Sequence, residues 1–224
     1  MPGDSMMESG FEEVLQFWFP PNLDSGDSAT LARRFEWWFR GGANAAIAER
    51  YAEVLNRAER GELDAWSADP RSRLALILVL DQFPRSLYPN SAKAYAQDPR
   101  ALALALEGIR IGHYAALERP WEKTFFFLPL GHSESLVHLE TAVAMAEAIV
   151  RDVPAALRPL FEHSVSQARG HRDVVARFGR QPHRNAILGR ASTDDELAYL
   201  AKGELVHQRS LPAELLAQKR TDPP

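Results

Sequence analysis

Leu74-Ala75-Leu76-Ile77-Leu78-Val79-Leu80 is the longest unbroken apolar run in the chain. Such a run fits a buried strand or a helix covered on every side, and periodicity alone does not separate the two. Its surroundings decide. Upstream, Asp69-Pro70 reads as an N-cap followed by the first helical position, where the missing N–H of proline is harmless. The run is rich in leucine, and no turn residues flank it on the N-terminal side. The segment is therefore expected to be a helix enclosed by its neighbours, the central element of the fold.

Outward from that helix the apolar residues keep helical spacing almost everywhere. Ser9 and Glu12 have the spacing of a capping box, and Phe11, Val14, Leu15 and Trp18 follow before Pro20-Pro21 ends the helix. Asp27 or Ser28 is placed to cap a second helix carrying Leu31, Phe35, Trp38 and Phe39. Ile47, Tyr51, Val54, Leu55 and Ala58 stripe a third, closed by Gly61. Asp98-Pro99 repeats the Asp-Pro start. Leu136 to Val150 and Phe161 to Phe178 form two long stripes, and Thr193 with Glu196 makes a second capping-box spacing before a short last helix. With helices joined by short loops and strand signals nearly absent, the expected class is an all-α antiparallel helical array in one domain. That domain is read over residues 10–209, with a flexible N-terminus over 1–9 and a disordered tail over 210–224. No tetratricopeptide consensus or other repeat is legible.

Composition narrows the function classes. The chain of 224 residues is 46% hydrophobic and 25% charged, which suits a globular protein with a sizeable core. Its net charge of −4 gives no global field for nucleic acid, so any cationic site must be local. The absence of cysteine excludes disulfides, thiolate chemistry and cysteine-ligated zinc. The acidic N-terminus lacks the basic start and apolar run of a signal peptide, and no apolar segment approaches the roughly 20 residues of a membrane span. A soluble cytoplasmic protein, with no membrane or nucleic-acid partner, is the expectation.

The residues that could carry chemistry concentrate at Arg177-Phe178-Gly179-Arg180-Gln181-Pro182-His183-Arg184-Asn185. Gly179 suits the left-handed position that ends a helix, and Pro182 stiffens the turn that follows. Arginine offers a planar fork of donors that matches carboxylate or phosphate. Arg85, Arg172, Arg177, Arg180, Arg184 and Asn185 are therefore the candidate ligand-binding residues. The competing account is that they pair with the protein's own carboxylates. Asp173 and Arg177 have the spacing of an intrahelical pair. His171 falls on the apolar stripe and faces the core or a cavity.

Asp81, directly after the apolar run, cannot stay unpaired if buried. It is a partner for Arg85 or a later arginine, or else a general base, or an acid that orients His171 or His183. In Pro129-Leu130-Gly131-His132-Ser133-Glu134, His132 or Ser133 is placed as an N-cap and Glu134 at the positive end of a helix. The candidate acid–base residues are Asp81, His132, Glu134, His171 and His183. Glu134 and His138 could share a metal, but no third ligand is legible, so no metal is assigned. No P-loop, dinucleotide fingerprint or Gly-x-Ser-x-Gly elbow is present, and no cofactor is implied. The dense aromatics (Phe17-Trp18-Phe19, Trp37-Trp38-Phe39, Phe125-Phe126-Phe127) read mainly as core, with a few left to wall a pocket.

Several of these segments occur in a familiar order. Phe17-Trp18-Phe19, Gly61-Glu62-Leu63-Asp64-Ala65-Trp66, Leu80-Asp81-Gln82-Phe83-Pro84-Arg85, Pro129 to Glu134, His171-Arg172-Asp173, Arg177 to Asn185 and Leu188-Gly189-Arg190 together resemble a widespread bacterial family known only as a domain of unknown function. The resemblance covers about Phe11 to Leu200. It implies an all-helical fold similar to tetratricopeptide-like arrays, and it implies no activity. The chain departs from the family pattern at Gln181, Gly131 and Ser86, where the family favours Phe, Met and Asn, and none of these is a charged residue of the motifs.

Two functions fit these residues. One is the binding of an anionic small molecule or an acidic peptide. The alternative is an enzyme, a hydrolase or transferase, using His/Asp/Glu acid–base chemistry on an anionic substrate. A purely structural role for the polar motifs is the third possibility, expected if the charges pair with one another and enclose no cavity.

Overall fold

The apolar run lies at the centre of the computed structural model, which describes residues 4–25, 27–212 and 215. Helix α1 spans Asp4–Trp18, α2 Ser28–Phe39, α3 Asn44–Arg50, α4 Ala52–Glu59 and α5 Pro70–Asp81. The chain continues through α6 (Phe83–Leu87), α7 (Asp98–Arg110), α8 (Pro120–His132), α9 (Leu136–Asp152), α10 (Arg158–Phe178) and α11 (Asp194–Ala201). Among the described residues there is no strand. The protein is an all-α single domain, as the sequence predicts.

Helix α5 is enclosed by α1, α4, α6, α7 and α8. Every residue from Leu74 to Leu80 is fully buried, so no face of α5 can be polar. From α7 to α10 each helix packs on the next, as in a row of antiparallel hairpins. The enclosure of α5 sets this array apart from an open tetratricopeptide stack, in which a repeat touches only its neighbours. Close packing of α7 on α8 depends on Gly108, where an added Cβ would stand 2.5 Å from Phe126 Cζ.

Local chemistry explains most helix ends. Pro21 has no N–H for the Phe17 carbonyl, and Arg34 supplies a donor to that carbonyl instead. The Trp18 carbonyl accepts from Trp38 Nε1 at 3.0 Å and from Arg34, which fastens α2 to α1. Asp27 caps α2 through the N–H groups of Ala29 and Thr30. Gly179 takes the left-handed conformation at φ 71° and ends α10. Thr193 and Glu196 form both bonds of the capping box.

Several boundaries differ from the sequence reading. Residues 4–9 are helical, so the Ser9–Glu12 spacing lies inside α1 rather than at its start. The stripe from Ile47 to Ala58 is two helices, because Tyr51 leaves the helical region at φ −124°, ψ 3°. Pro84 lies in the first turn of α6, where proline is tolerated. His132 and Ser133 end α8 rather than cap α9, whose N-cap position is Ser135. Leu211 and Leu215 are buried in the core, so the tail is anchored where it begins. The rest of that tail lies outside the described residues.

Candidate functional site

The C-terminal ends of α5 and α8, the middle of α10 and the turn after it meet at one place. Asp81, the last residue of α5, is fully buried, and a carboxylate there must be paired. Its Oδ1 accepts a hydrogen bond from His132 Nδ1 at 2.7 Å, and its Oδ2 accepts one from Gln82. Arg85 stands 3.7 Å away. Burial opposes ionisation of Asp81, but the charges of His132 and Arg85 and the hydrogen bonds from His132 and Gln82 outweigh it. Its carboxyl is held below the usual range. A carboxylate can only accept, so Nδ1 of His132 carries a proton, and in the neutral imidazole Nε2 is the nitrogen left with a lone pair.

Beside this pair lies a second ionic group. Arg85 grips Asp98 with both terminal nitrogens, at 2.9 and 3.0 Å. Arg184 reaches the same carboxylate at 3.5 Å, and both guanidiniums lie over the ring of Tyr95. Burial, then the neighbouring Arg85, pulls the Arg184 pKa down. Glu134 is held by Arg190 at 2.7 and 2.9 Å, and it accepts the Gln181 backbone N–H at 2.7 Å. Burial opposes its ionisation too, yet these bonds hold its pKa below the ordinary value.

Arg85, Arg184 and Arg190 are thus matched by Asp81, Asp98 and Glu134. The remaining sequence candidates are engaged elsewhere. Arg180 pairs with Glu196 at 2.7 Å, and Asn185 donates to Ser192 and Glu196, which ties the turn to α11. Arg172 bonds its neighbour Asp173, and Arg177 faces Asp195 at 3.6 Å, so the expected Asp173–Arg177 pair does not form. Glu134 and His138 do not converge on a metal position. His138 Nδ1 lies 3.4 Å from Ser133 Oγ, and Glu134 is occupied by Arg190. Among the described residues no group of three or more histidines or carboxylates is placed to hold a metal ion.

His132, the partner of Asp81, lines a cavity of about 190 Å³. Its lining includes the apolar Phe35, Phe39, Phe127, Leu128, Ala142 and Leu211. The polar lining includes His132, His163, His171 and His207, with Arg40, Arg209 and Glu36. Burial, followed by the charges of His132 and Arg184, drives the His171 pKa down to about 3. Its Nδ1 has no hydrogen-bond partner among the described residues, and Gln181 lies beside the ring without reaching bonding geometry. His183 is also pushed down by burial, and its ring lies tilted against that of His207 with centroids 4.2 Å apart.

His207 belongs to a short segment, residues 205–211, that lies against the cavity. Arg40 donates to the Gln208 carbonyl and to Ser210 Oγ, each at 3.0 Å. Gln167 donates to the Arg209 carbonyl at 3.3 Å. Gly170 of α10 makes room for Val206, whose Cγ1 would be 2.9 Å from an added Cβ.

The structure therefore brings together Asp81, His132, His171, His183, Arg85 and Arg184. It leaves Arg172 and Arg177 in surface pairs and Arg180 on the buried Glu196. Asp98, Arg190, His207, Arg40, His163 and Arg209 were not singled out from sequence. Arg190 sits in the Leu188-Gly189-Arg190 motif, and Asp98 read as a helix start. Nothing local marks the other four.

A family model described as a bacterial protein of unknown function (DUF924) matches residues 14–204. A solved structure, that of a protein of unknown function from Agrobacterium tumefaciens, superposes with a TM-score of 0.68 at 33% sequence identity. The match covers 86% of this chain and 97% of that one. No curated protein matches the chain.

Proposed function

We propose, for a chain that belongs to the DUF924 family of bacterial proteins of unknown function, that it binds a small molecule with an apolar body and one anionic group. The observation that carries this reading is the cavity, whose lining combines apolar side chains with two arginines, Arg40 and Arg209, against one carboxylate, Glu36. An apolar protein cavity of ~150 Å³ holds benzene. A space of about 190 Å³ therefore suits an aromatic ring or short aliphatic chain bearing a carboxylate. An acidic peptide would need an open groove, so the small molecule is favoured over it. Arg85 and Arg184 do not line the cavity and their charges are matched by Asp98 and Asp81, so they do not contact the ligand.

Thermal shift and calorimetry with benzoate, hexanoate, hexanol and inorganic phosphate test this. A ligand at about 100 times its Kd stabilises the folded state by ~2.7 kcal/mol. The carboxylates should stabilise the protein and phosphate should not. Arg209→Met should reduce the preference for hexanoate over hexanol. Equal stabilisation by phosphate, or none by any amphipathic carboxylate, would remove the cavity as the binding site.

A further inference from the structure

The geometry points to an activity in this cavity: we infer that His132 is a general base that activates water to hydrolyse a small carboxylic ester held there. This rests on the binding reading above.

Arg85 takes both oxygens of Asp98 at hydrogen-bond distance and stands farther, 3.7 Å, from the carboxylate of Asp81. The oxygen of Asp81 nearest Arg85 is instead the acceptor for His132 Nδ1. A fully buried carboxylate is costly, and here it fixes one imidazole in one tautomer with Nε2 left free. That is the arrangement by which an acid orients a histidine base. His132 lines the cavity, and so does the preceding Gly131, where an added Cβ would meet nothing within 4 Å. His171 lines the same cavity.

The nucleophile follows from the hydroxyls nearby. Thr124 Oγ1 donates to the Pro120 carbonyl and Ser164 Oγ to the Leu160 carbonyl, while Ser133 Oγ accepts the Ser135 N–H. Each is bound within its own segment, and the chain has no cysteine. Water remains. In the step, His132 Nε2 takes a proton from water as its oxygen bonds to the ester carbonyl carbon. The tetrahedral adduct then collapses, the carbon–alkoxy bond breaks, and the imidazolium returns the proton to the departing alkoxide. The products are one carboxylic acid and one alcohol, and no other reactant is needed. The anionic end of the substrate faces Arg40 and Arg209, and its ester faces His132.

The probe is 4-acetoxybenzoate, with a carboxylate at one end and an ester at the other; 4-hydroxybenzoate reports binding alone. Wild type should release 4-hydroxybenzoate catalytically. His132→Gln should lower kcat by about 100-fold or more, within the range for loss of a general base, while binding 4-hydroxybenzoate within about threefold of wild type. Added imidazole should restore turnover in His132→Ala. Asp81→Asn, a change at a positioning residue, should lower kcat and leave KM unchanged. Binding of 4-hydroxybenzoate without hydrolysis of the ester, or hydrolysis undiminished in His132→Gln, overturns the catalytic assignment and leaves the binding site standing. Failure to bind 4-hydroxybenzoate overturns both.

Discussion

At the scale of single residues, the ion pairs of this protein divide into those that hold the site and those that decorate the surface. Asp98 is shared by two arginines with side chains only 23% and 8% exposed. Replacing it by asparagine leaves two half-buried guanidiniums facing an amide. Loss of one partner from such a group costs about 3–5 kcal/mol, so Asp98→Asn should lower the urea midpoint of unfolding strongly. Glu62→Gln, which removes a partner from the exposed Arg57 and Arg60, should leave that midpoint unchanged. Equal effects would mean that burial does not set the value of these pairs. The sequence could show that Arg177 to Asn185 is dense in donors. It could not show that Arg184 meets a carboxylate 86 positions away, nor that Arg180 is matched by Glu196. The need of Asp81 for a partner was legible from the apolar run before it. That the partner is His132, rather than a later arginine, depends on how α8 ends.

At the scale of helices, existence was legible and boundaries were less so. Apolar stripes located α2, α9 and α10 because each buries one face only. The stripe through Tyr51 hid a break, since spacing records which residues are buried and not whether the backbone between them stays helical. Helix α8 was not foreseen, because an aromatic run with Pro129 inside it carries no amphipathic period. The contact between α10 and segment 205–211 was also invisible, yet it makes a testable point. Alanine at position 170 would gain about 0.5–1 kcal/mol from helix propensity. The added methyl would also meet Val206 at 2.9 Å and Arg209 at 3.1 Å. Arg209 can swing aside, whereas the short Val206 side chain cannot, and overpacking of this kind costs about 1–3 kcal/mol. Gly170→Ala should therefore be destabilising, with faster hydrogen exchange at residues 206–209 and weaker ligand binding. Unchanged exchange there would show that the segment tolerates the methyl and that its seat on α10 is loose.

At the scale of the whole molecule, buried neutral histidines make the fold sensitive to mild acid. Net charge is only −4, so general repulsion is a small term near neutrality. His171 titrates at about 3, and burial likewise pushes His163, His183 and His207 down. An unfolded histidine titrates near 6.5. Below that pH the unfolded chain takes up protons that the native site refuses, so stability rises with pH and falls as acid is added. The stability from His171 is whole above about pH 6.5 and is lost progressively down to about 3. Carboxylates with depressed native pKa values, Asp81 among them, lose their contribution in the same direction but only below about pH 4. The interval from pH 6.5 to 4 thus belongs to the histidines. Each excluded proton contributes at most ~1.4 kcal/mol per pH unit, so His171 and His183 together give about 2–3 kcal/mol per unit. Urea unfolding at pH 7.5, 6 and 5 should show this decline, and the double variant His171→Gln/His183→Gln should flatten it by roughly half. A stability curve level from pH 7 to 5 would contradict the burial of these rings. The decline should also begin at the cavity. His207 sits on the 205–211 segment against His183, so its hydrogen exchange should quicken at a higher pH than that of α5.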